Sequence, residues 1–355
     1  MAYTNIDDPS AYFQTALYTG NGGTQSITND GNSDLQPDLV WIKNRTTAYQ
    51  HQAYDTSRGA TKKIQPSNTN AEATDTTGLT AFNTDGFSVG SNVGVNQNSA
   101  NQVAWQWKVN GGTTTSLSSN INSVCQVNQD AGISIVKYTC TGGGNGQAVQ
   151  HGLGLVPQVI ITKNRTDTSY SDWITYHHSI GYTNFLKLNT SAAQAGSSPY
   201  NGGEPTNLTY NVSIDLVEAT KDYVSYVFAP IQGYSKFGSY VGNANANGPF
   251  VYTGFKPAFV MVKILPHSGW DWAIMDNKRT PTNANGTYRF LWANLTAAEF
   301  TDGDSSINME IDFLSNGFKI RTARNELNYS GAKFIYMCFA ENPFTTSTGI
   351  PTTAR

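Results

Sequence analysis

Charge is the scarcest commodity in this sequence. Asp, Glu, Lys and Arg make up 13% of its 355 residues, against about 25% in an ordinary soluble domain. The formal net charge is −3 and Lys and Arg form no cluster, which excludes the electrostatic footprint of a nucleic-acid binder. Long apolar runs are missing as well: none approaches the roughly 20 residues that a bilayer-spanning helix needs. The first nine residues have neither a positive start nor an apolar stretch, so nothing reads as a secretion signal. Synthesis in a cytoplasm and no membrane span are the expectation. Cysteine is scarce too, since Cys125, Cys140 and Cys338 are odd in number and lack paired metal spacing. They predict no zinc site and no disulfide framework, and read as small buried hydrophobes.

Repetition is what the chain has instead. One copy runs from Tyr18-Thr-Gly-Asn-Gly22 through Gln36-Pro-Asp-Leu-Val-Trp-Ile-Lys-Asn-Arg45 and Phe82-Asn-Thr-Asp-Gly-Phe87 to Val103-Ala-Trp-Gln-Trp-Lys108. A second runs from Tyr138-Thr-Cys-Thr-Gly142 through Val156-Pro-Gln-Val-Ile-Ile-Thr-Lys-Asn-Arg165 to Tyr223-Val-Ser-Tyr-Val-Phe-Ala229, with Val212-Ser-Ile-Asp-Leu216 in place of the Gly-Phe element. The third runs from Tyr240-Val-Gly-Asn243 through Lys256-Pro-Ala-Phe-Val-Met-Val-Lys263 and Phe313-Leu-Ser-Asn-Gly-Phe318 to Phe334-Ile-Tyr-Met-Cys-Phe-Ala340. Copies of roughly 100 residues are long enough to bury a core each.

Helical periodicity is almost absent. Apolar segments are short, rich in Val, Ile, Tyr, Phe and Trp, and bounded by Gly, Asn, Asp and Pro, which predicts strands joined by turns. Leu39-Val-Trp-Ile42, Val159-Ile-Ile-Thr162 and Phe259-Val-Met-Val262 each follow a Pro that marks a strand entry. Asp85-Gly86 and Asn316-Gly317 read as tight hairpins with positive φ at both central positions. The matching segments from Thr69, Thr190 and Leu295 read as single helical turns. The fold class is therefore all-β, in three repeats. Their bounds are 15–110, 131–232 and 233–344. Residues 1–14 form an N-terminal arm, the Gly/Ser/Thr-rich 111–130 a flexible linker that leaves the first repeat loosely hinged, and 345–355 an extended tail.

Candidate chemistry is sparse. His177-His178 near Asp172 is the densest titratable cluster, and its counterparts in the other copies make an ordinary strand end the better reading. Asp7-Asp8 and Asp302-Gly-Asp304 lack the carboxylate spacing of a calcium loop, and Gly142-Gly-Gly-Asn-Gly146 lacks the Lys-Ser/Thr of a phosphate loop. Glu310 and Asp312 share a face of one strand without marking a cleft. Lys43-Asn-Arg-Thr46 recurs at Lys163 to Thr166 and reads as a strand end with solvated charges. No catalytic residue, metal or cofactor is expected. Trp41, Trp105, Trp107, Trp173 and Trp272 fall in core strands; Trp270, after a Gly in a loop, is the one weak ligand-binding candidate, with Trp292 also less constrained.

The motifs Ile6-Asp-Asp-Pro-Ser-Ala-Tyr-Phe13, Ser57-Arg-Gly-Ala-Thr-Lys62, Phe82-Asn-Thr-Asp-Gly-Phe-Ser-Val-Gly90, His151-Gly-Leu-Gly154, Tyr234-Ser-Lys-Phe-Gly-Ser-Tyr240, Gly248-Pro-Phe-Val-Tyr-Thr-Gly-Phe255 and Phe339-Ala-Glu-Asn-Pro-Phe344 carry a resemblance. Taken together, the chain resembles the virion structural proteins, tail-fibre or lectin-like, of marine and cyanobacterial tailed bacteriophages. The resemblance implies three tandem concanavalin A-like/jelly-roll β-sandwich repeats and a non-enzymatic tail fibre or spike subunit in host-surface attachment. A capsid decoration protein and a glycan-binding receptor module are the alternatives. It further implies location in the phage particle, a homotrimer, other phage structural proteins and host surface glycans as partners, and an attachment arm built on Tyr3, Ile6, Tyr12 and Phe13.

Overall fold

The computed structural model describes residues 2–140, 142, 144–168, 171–213, 216, 218–283, 288–301 and 309–352. The first set of strands comprises β1 (Phe13–Thr19), β2 (Gln25–Ile27), β3 (Leu39–Asn44), β4 (Gln52–Asp55), β5 (Lys62–Lys63), β6 (Ala73–Thr74), β7 (Leu79–Phe82), β8 (Phe87–Val89) and β9 (Asn101–Trp107). Two strands follow, β10 (Thr115–Leu117) and β11 (Ser123–Asn128). The second set is β12 (Ile133–Thr139), β13 (Gln147–Gln150), β14 (Val159–Asn164), β15 (Ile174–His177), β16 (Asn184–Lys187), β17 (Ala195–Gly196), β18 (Thr209–Val212) and β19 (Asp222–Phe228). The third is β20 (Ser235–Val241), β21 (Phe250–Tyr252), β22 (Phe255–Ile264), β23 (Ala273–Asp276), β24 (Arg289–Trp292), β25 (Phe300–Thr301), β26 (Ile311–Leu314), β27 (Gly317–Ile320) and β28 (Lys333–Pro343).

The same pairing recurs in each set. The opening strand pairs with the closing one, the closing strand with the one after the Pro, and that with the next: β1-β9-β3-β4, β12-β19-β14-β15 and β20-β28-β22-β23, all antiparallel. Small sheets β2-β8-β7, β13-β18 and β21-β27-β26 accompany them. Between large and small sheet each set holds its own apolar cluster, around Tyr54 and Phe87 in the first, Tyr200 and Tyr210 in the second, Phe290 and Phe318 in the third.

The other face of each large sheet is apolar too, and this face decides the architecture. Leu39, Trp41 and Trp107, Val159, Ile161 and Phe228, and Phe259, Met261 and Phe339 belong to one core shared by all three sets. β3, β14 and β22 are therefore buried on both faces, which is why their sequences are continuous apolar runs. Trp41, Ile161 and Met261, one from the same place in each set, line a common cavity of about 30 Å³, which its apolar lining keeps dry.

Several sequence expectations change at this point. The first set is not hinged, because Phe13, Trp105 and Trp107 pack directly on Phe259 and Phe339. The expected linker 111–130 contains β10 and β11, which extend the second set's sheet along β12. In the third set the chain is already a strand before its Pro, and the register shifts at Pro257. The segments expected as helical turns are extended, the first and third running into β6 and β25; the helical turns are instead Pro9–Ala11, Val93–Asn96 and Asn325–Asn328. The hairpins form, but only Gly86 has positive φ, at 92°. Both glycines are needed for close approach: a Cβ would stand 2.0 Å from the Ile27 carbonyl oxygen at Gly86 and 2.1 Å from that of Val251 at Gly317.

A candidate binding groove between the first and third sets

The three seams between sets are built from matching positions. The main-chain N–H groups of Glu72, Gln194 and Glu299 donate to the carbonyls of Arg165, Leu265 and Arg45 in the neighbouring set, at 3.0, 2.9 and 2.8 Å. His51, Trp173 and Trp272, each preceding its set's fourth strand, bond through a ring nitrogen to the carbonyls of Trp292, Gln65 and Lys187. His51 Nδ1 accepts from Trp41 Nε1 at 2.8 Å, so Nε2 carries the proton. Burial holds this ring neutral by pushing its pKa well below the usual value.

Two seams carry buried ion networks. Glu299 takes a two-pronged contact from Arg45, at 2.9 and 2.7 Å, and another from Arg279, which also pairs with Asp276 at 2.6 Å. Glu72 is held in the same way by Arg165 and Arg58, and Arg58 pairs with Asp55 at 2.5 Å. Trp105 Nε1 donates to Asp276 and the Tyr226 hydroxyl to Asp55, each across its seam. Burial raises the Glu72 pKa, but the hydrogen bonds and charges of Arg165 and Arg58 outweigh it and hold the carboxyl low. The Lys-Asn-Arg charges expected in solvent are thus internal. Lys43, Lys163 and Lys263 are fully buried and donate to main-chain carbonyls of Asn44, of Thr69 and Ser171, and of Ser191 and Trp270. Desolvation brings their pKa values down to about 7, 7 and 8. The repeated Asp55-Thr-Ser-Arg58 and Asp276-Asn-Lys-Arg279 spacing was the signal in the sequence that could have marked these networks.

The sequence candidates do not converge. His177 is buried in the third seam, bonded to the Tyr336 carbonyl, while Asp172 lies at the other end of β15, paired with Lys187 and Asn189. Asp312 takes the Tyr288 hydroxyl and faces Arg321. Asp7 binds Ser347, and Asp8 binds Ser10 and Ser33; residues 302–304 lie outside the described residues. Trp270 is half-buried against the third set's core, with its carbonyl on Lys263, and Trp292 is buried. Of the four arm residues, Ile6 and Phe13 are inside the shared core, Tyr12 packs on Tyr234, and Tyr3 bonds to the Gly254 carbonyl. Apolar side chains in this segment gain more from stitching the first set to the third than from standing in water.

A groove of about 180 Å³ opens at the seam of the first and third sets, lined by Gln14, Thr15, Asp30, Asn277, Lys278 and Asn342 among others. It runs into a wider cleft of about 420 Å³ that shares Asn277, Lys278 and Glu341 and is walled by Lys256, Thr280, Asn283 and Ser315. Charges flank it in pairs, Lys278 with Asp30 at 2.8 Å and Lys256 with Glu341 at 2.7 Å, so the groove is polar and close to neutral. Thr15 is 4% exposed, yet its hydroxyl has no hydrogen-bond partner among the described residues. No group of three or more His, Cys, Asp or Glu side chains able to hold a metal ion occurs among the described residues, and no helix is long and apolar enough to cross a membrane.

The architecture defines an all-β protein of antiparallel sheets packed in layers. Within that class the chain belongs to the family described as a domain of unknown function, DUF7483, which matches residues 8–343. The match passes through both junctions between the strand sets. No curated protein and no solved structure matches the chain.

Proposed function

We propose that the chain is a non-enzymatic structural component of a bacteriophage particle, a tail-fibre or spike subunit that takes part in attachment to the host surface. On this reading each strand set is a jelly-roll sandwich of the concanavalin A-like kind. The proposed partners are other structural proteins of the particle, host surface glycans and two further copies of the chain. The observation that carries the reading is the closure of three sets around one core, with the ionisable groups of the seams spent on holding the sets together. Such a body is rigid, and its low charge and polar amide and hydroxyl surface suit selective contact over general electrostatic adhesion. The resemblance in the repeated motifs supports the particle assignment.

Cryo-electron microscopy of purified particles, with antibody labelling of the third set, tests this. Density at the tail or baseplate is the expected result. A regular array on the capsid would replace attachment by decoration, and absence from particles would overturn the proposal. Light scattering on the purified chain separates a trimer from a single 38.5 kDa body.

A further inference from the structure

The seam between the first and second sets contains the same place as the groove, and there it is filled. Gln126 of β11 is fully buried in it. Its amide donates to the hydroxyls of Thr56 and Ser57, at 2.8 and 2.9 Å, and accepts from the main-chain N–H groups of Asn110 and Gly112, at 3.0 and 3.3 Å. Thr56 and Ser57 follow Asp55 as Asn277 and Lys278 follow Asp276, and Asn110 follows Trp107 at the interval that separates Asn342 from Phe339. Gln126 lies opposite Ile135 of β12, at the position that Thr15 holds in β1. At the first–third seam no strand stands in the place of β11, since β1 is the edge of its sheet. The site built around an uncharged amide in one seam is open in the other.

We propose that this groove binds the acetamido group of an N-acetylated sugar, with the sugar rings lying in the wider cleft toward Thr280 and Asn283. The inference rests on the attachment reading above and names the ligand chemistry for it. Three carboxamides that line the groove, those of Asn32, Asn277 and Asn342, make no hydrogen bond among the described residues, and beneath them the Thr15 hydroxyl is buried without a partner. An acetamido group offers one donor and one acceptor and no charge. That matches a site whose two flanking ion pairs are already satisfied, and a buried unpaired hydroxyl is the kind of group a ligand gains by pairing. A polypeptide strand bringing in a Gln side chain is the less favoured occupant. Residues 13–16 of β1 are 2–6% exposed, so the edge beside the groove is closed to strand pairing and only a group entering end-on fits.

The test is titration of the full chain with N-acetylglucosamine, N-acetylgalactosamine and N-acetylmannosamine, and with the parent hexoses, followed by amide chemical shifts and calorimetry. At least one N-acetyl sugar is expected to bind roughly tenfold more tightly than its parent hexose, the scale of one well-placed hydrogen bond. Thr15→Val and Asn277→Ala are expected to weaken it by a similar factor. Thr15→Val keeps the shape and removes an unpartnered hydroxyl, so its thermal midpoint should not fall. Equal binding of hexose and N-acetyl sugar, absence of binding, or affinity unchanged in both variants overturns the proposal, as does binding of N-acetylglutamine amide in preference to every sugar. Failure here with the chain located at the phage tail leaves the attachment reading standing. Sugar binding by a chain absent from particles would sink that reading and keep the groove.

Discussion

Two seams of this molecule hold buried ion pairs and the third holds none among the described residues, although all three are cut from equivalent positions. Asp55, Arg58, Glu72, Arg165 and Tyr226 build one charged seam; Asp276, Arg279, Glu299, Arg45 and Trp105 build the other. In the third seam the same places hold His177, Ile180, Gln194, Leu265 and Met337. The main-chain bond between sets is kept in all three, so the geometry does not need the ions. The ionic residues therefore form a unit. Each buried charge is tolerable only beside its partners, since an isolated one carries a desolvation cost of several kcal/mol. The neutral seam differs at all five places together.

Removing one member of a charged seam should have the largest effect. Arg58→Met leaves Asp55 and part of Glu72 buried without their cation, and should lower stability by about 3–5 kcal/mol. Ile180→Ala, at the matching half-buried place in the neutral seam, should cost about 1 kcal/mol. Urea midpoints of the two variants decide it, and similar losses would mean the charged seams are not special. Transplanting the neutral set whole should be milder. The variant carrying Asp55→His, Arg58→Ile, Glu72→Gln, Arg165→Leu and Tyr226→Met together should lose less stability than Arg58→Met alone, because contacting residues do not add. A loss equal to the sum of five single changes would refute the unit.

Much of this structure was legible in the sequence, and the part that was not has one physical cause. Short β-branched and aromatic runs with Pro and Gly boundaries act within a strand and its neighbour, so the strands, the repeat and the recurring strand after each Pro could be read from local pattern. The closing of the three sets on one core is a relation among residues over 100 apart, and composition does not show which of a strand's two apolar faces meets which partner. That is why residues 111–130 passed for a linker. Their Gly/Ser/Thr content is real, but Cys125 and Val127 alternate within it, on one face of a strand that pairs with β12. It is also why Ile6 and Phe13 read as an arm, and why lysines placed in solvent are buried. The groove was invisible for a different reason: it exists because a strand present at one seam is missing at another.

Buried bases in the seams should make stability depend on pH. His177 is held neutral by burial, with the charges of His178 and Lys333 adding to the effect, and its pKa falls to about 3. A base whose folded pKa is depressed takes up its proton more readily when unfolded. Its stability contribution is therefore full above the unfolded value near 6.5 and is lost as pH falls toward 3, by about 1.4 kcal/mol per pH unit at most. His51 acts in the same direction at the first–third seam. The buried lysines follow the same sign in a higher window: stability rises with pH from about 7 toward 10 as the folded protein releases protons that the unfolded chain keeps. His177→Gln should flatten the acid limb of a stability–pH curve and leave the alkaline limb; Lys163→Met should do the reverse. A variant that flattens neither limb would show that these groups are wetter than their burial indicates.

The smallest effect is expected at the rim of the same first–third seam. Lys278 and Asp30 bridge the first and third sets, as the buried network does, at 2.8 and 2.9 Å, but their side chains are 41% and 70% exposed. Water and salt screen such a pair, and ordering two mobile side chains cancels most of what attraction remains. Asp30→Asn should therefore leave the urea midpoint unchanged within error, at low and at high salt, while Glu299→Gln, a few residues away in the interior of that seam, shifts it clearly. Because Asp30 lines the groove, the same variant separates two roles at one place. A changed sugar affinity with an unchanged midpoint assigns the rim pair to binding, and a lowered midpoint would assign it to holding the ring of sets closed.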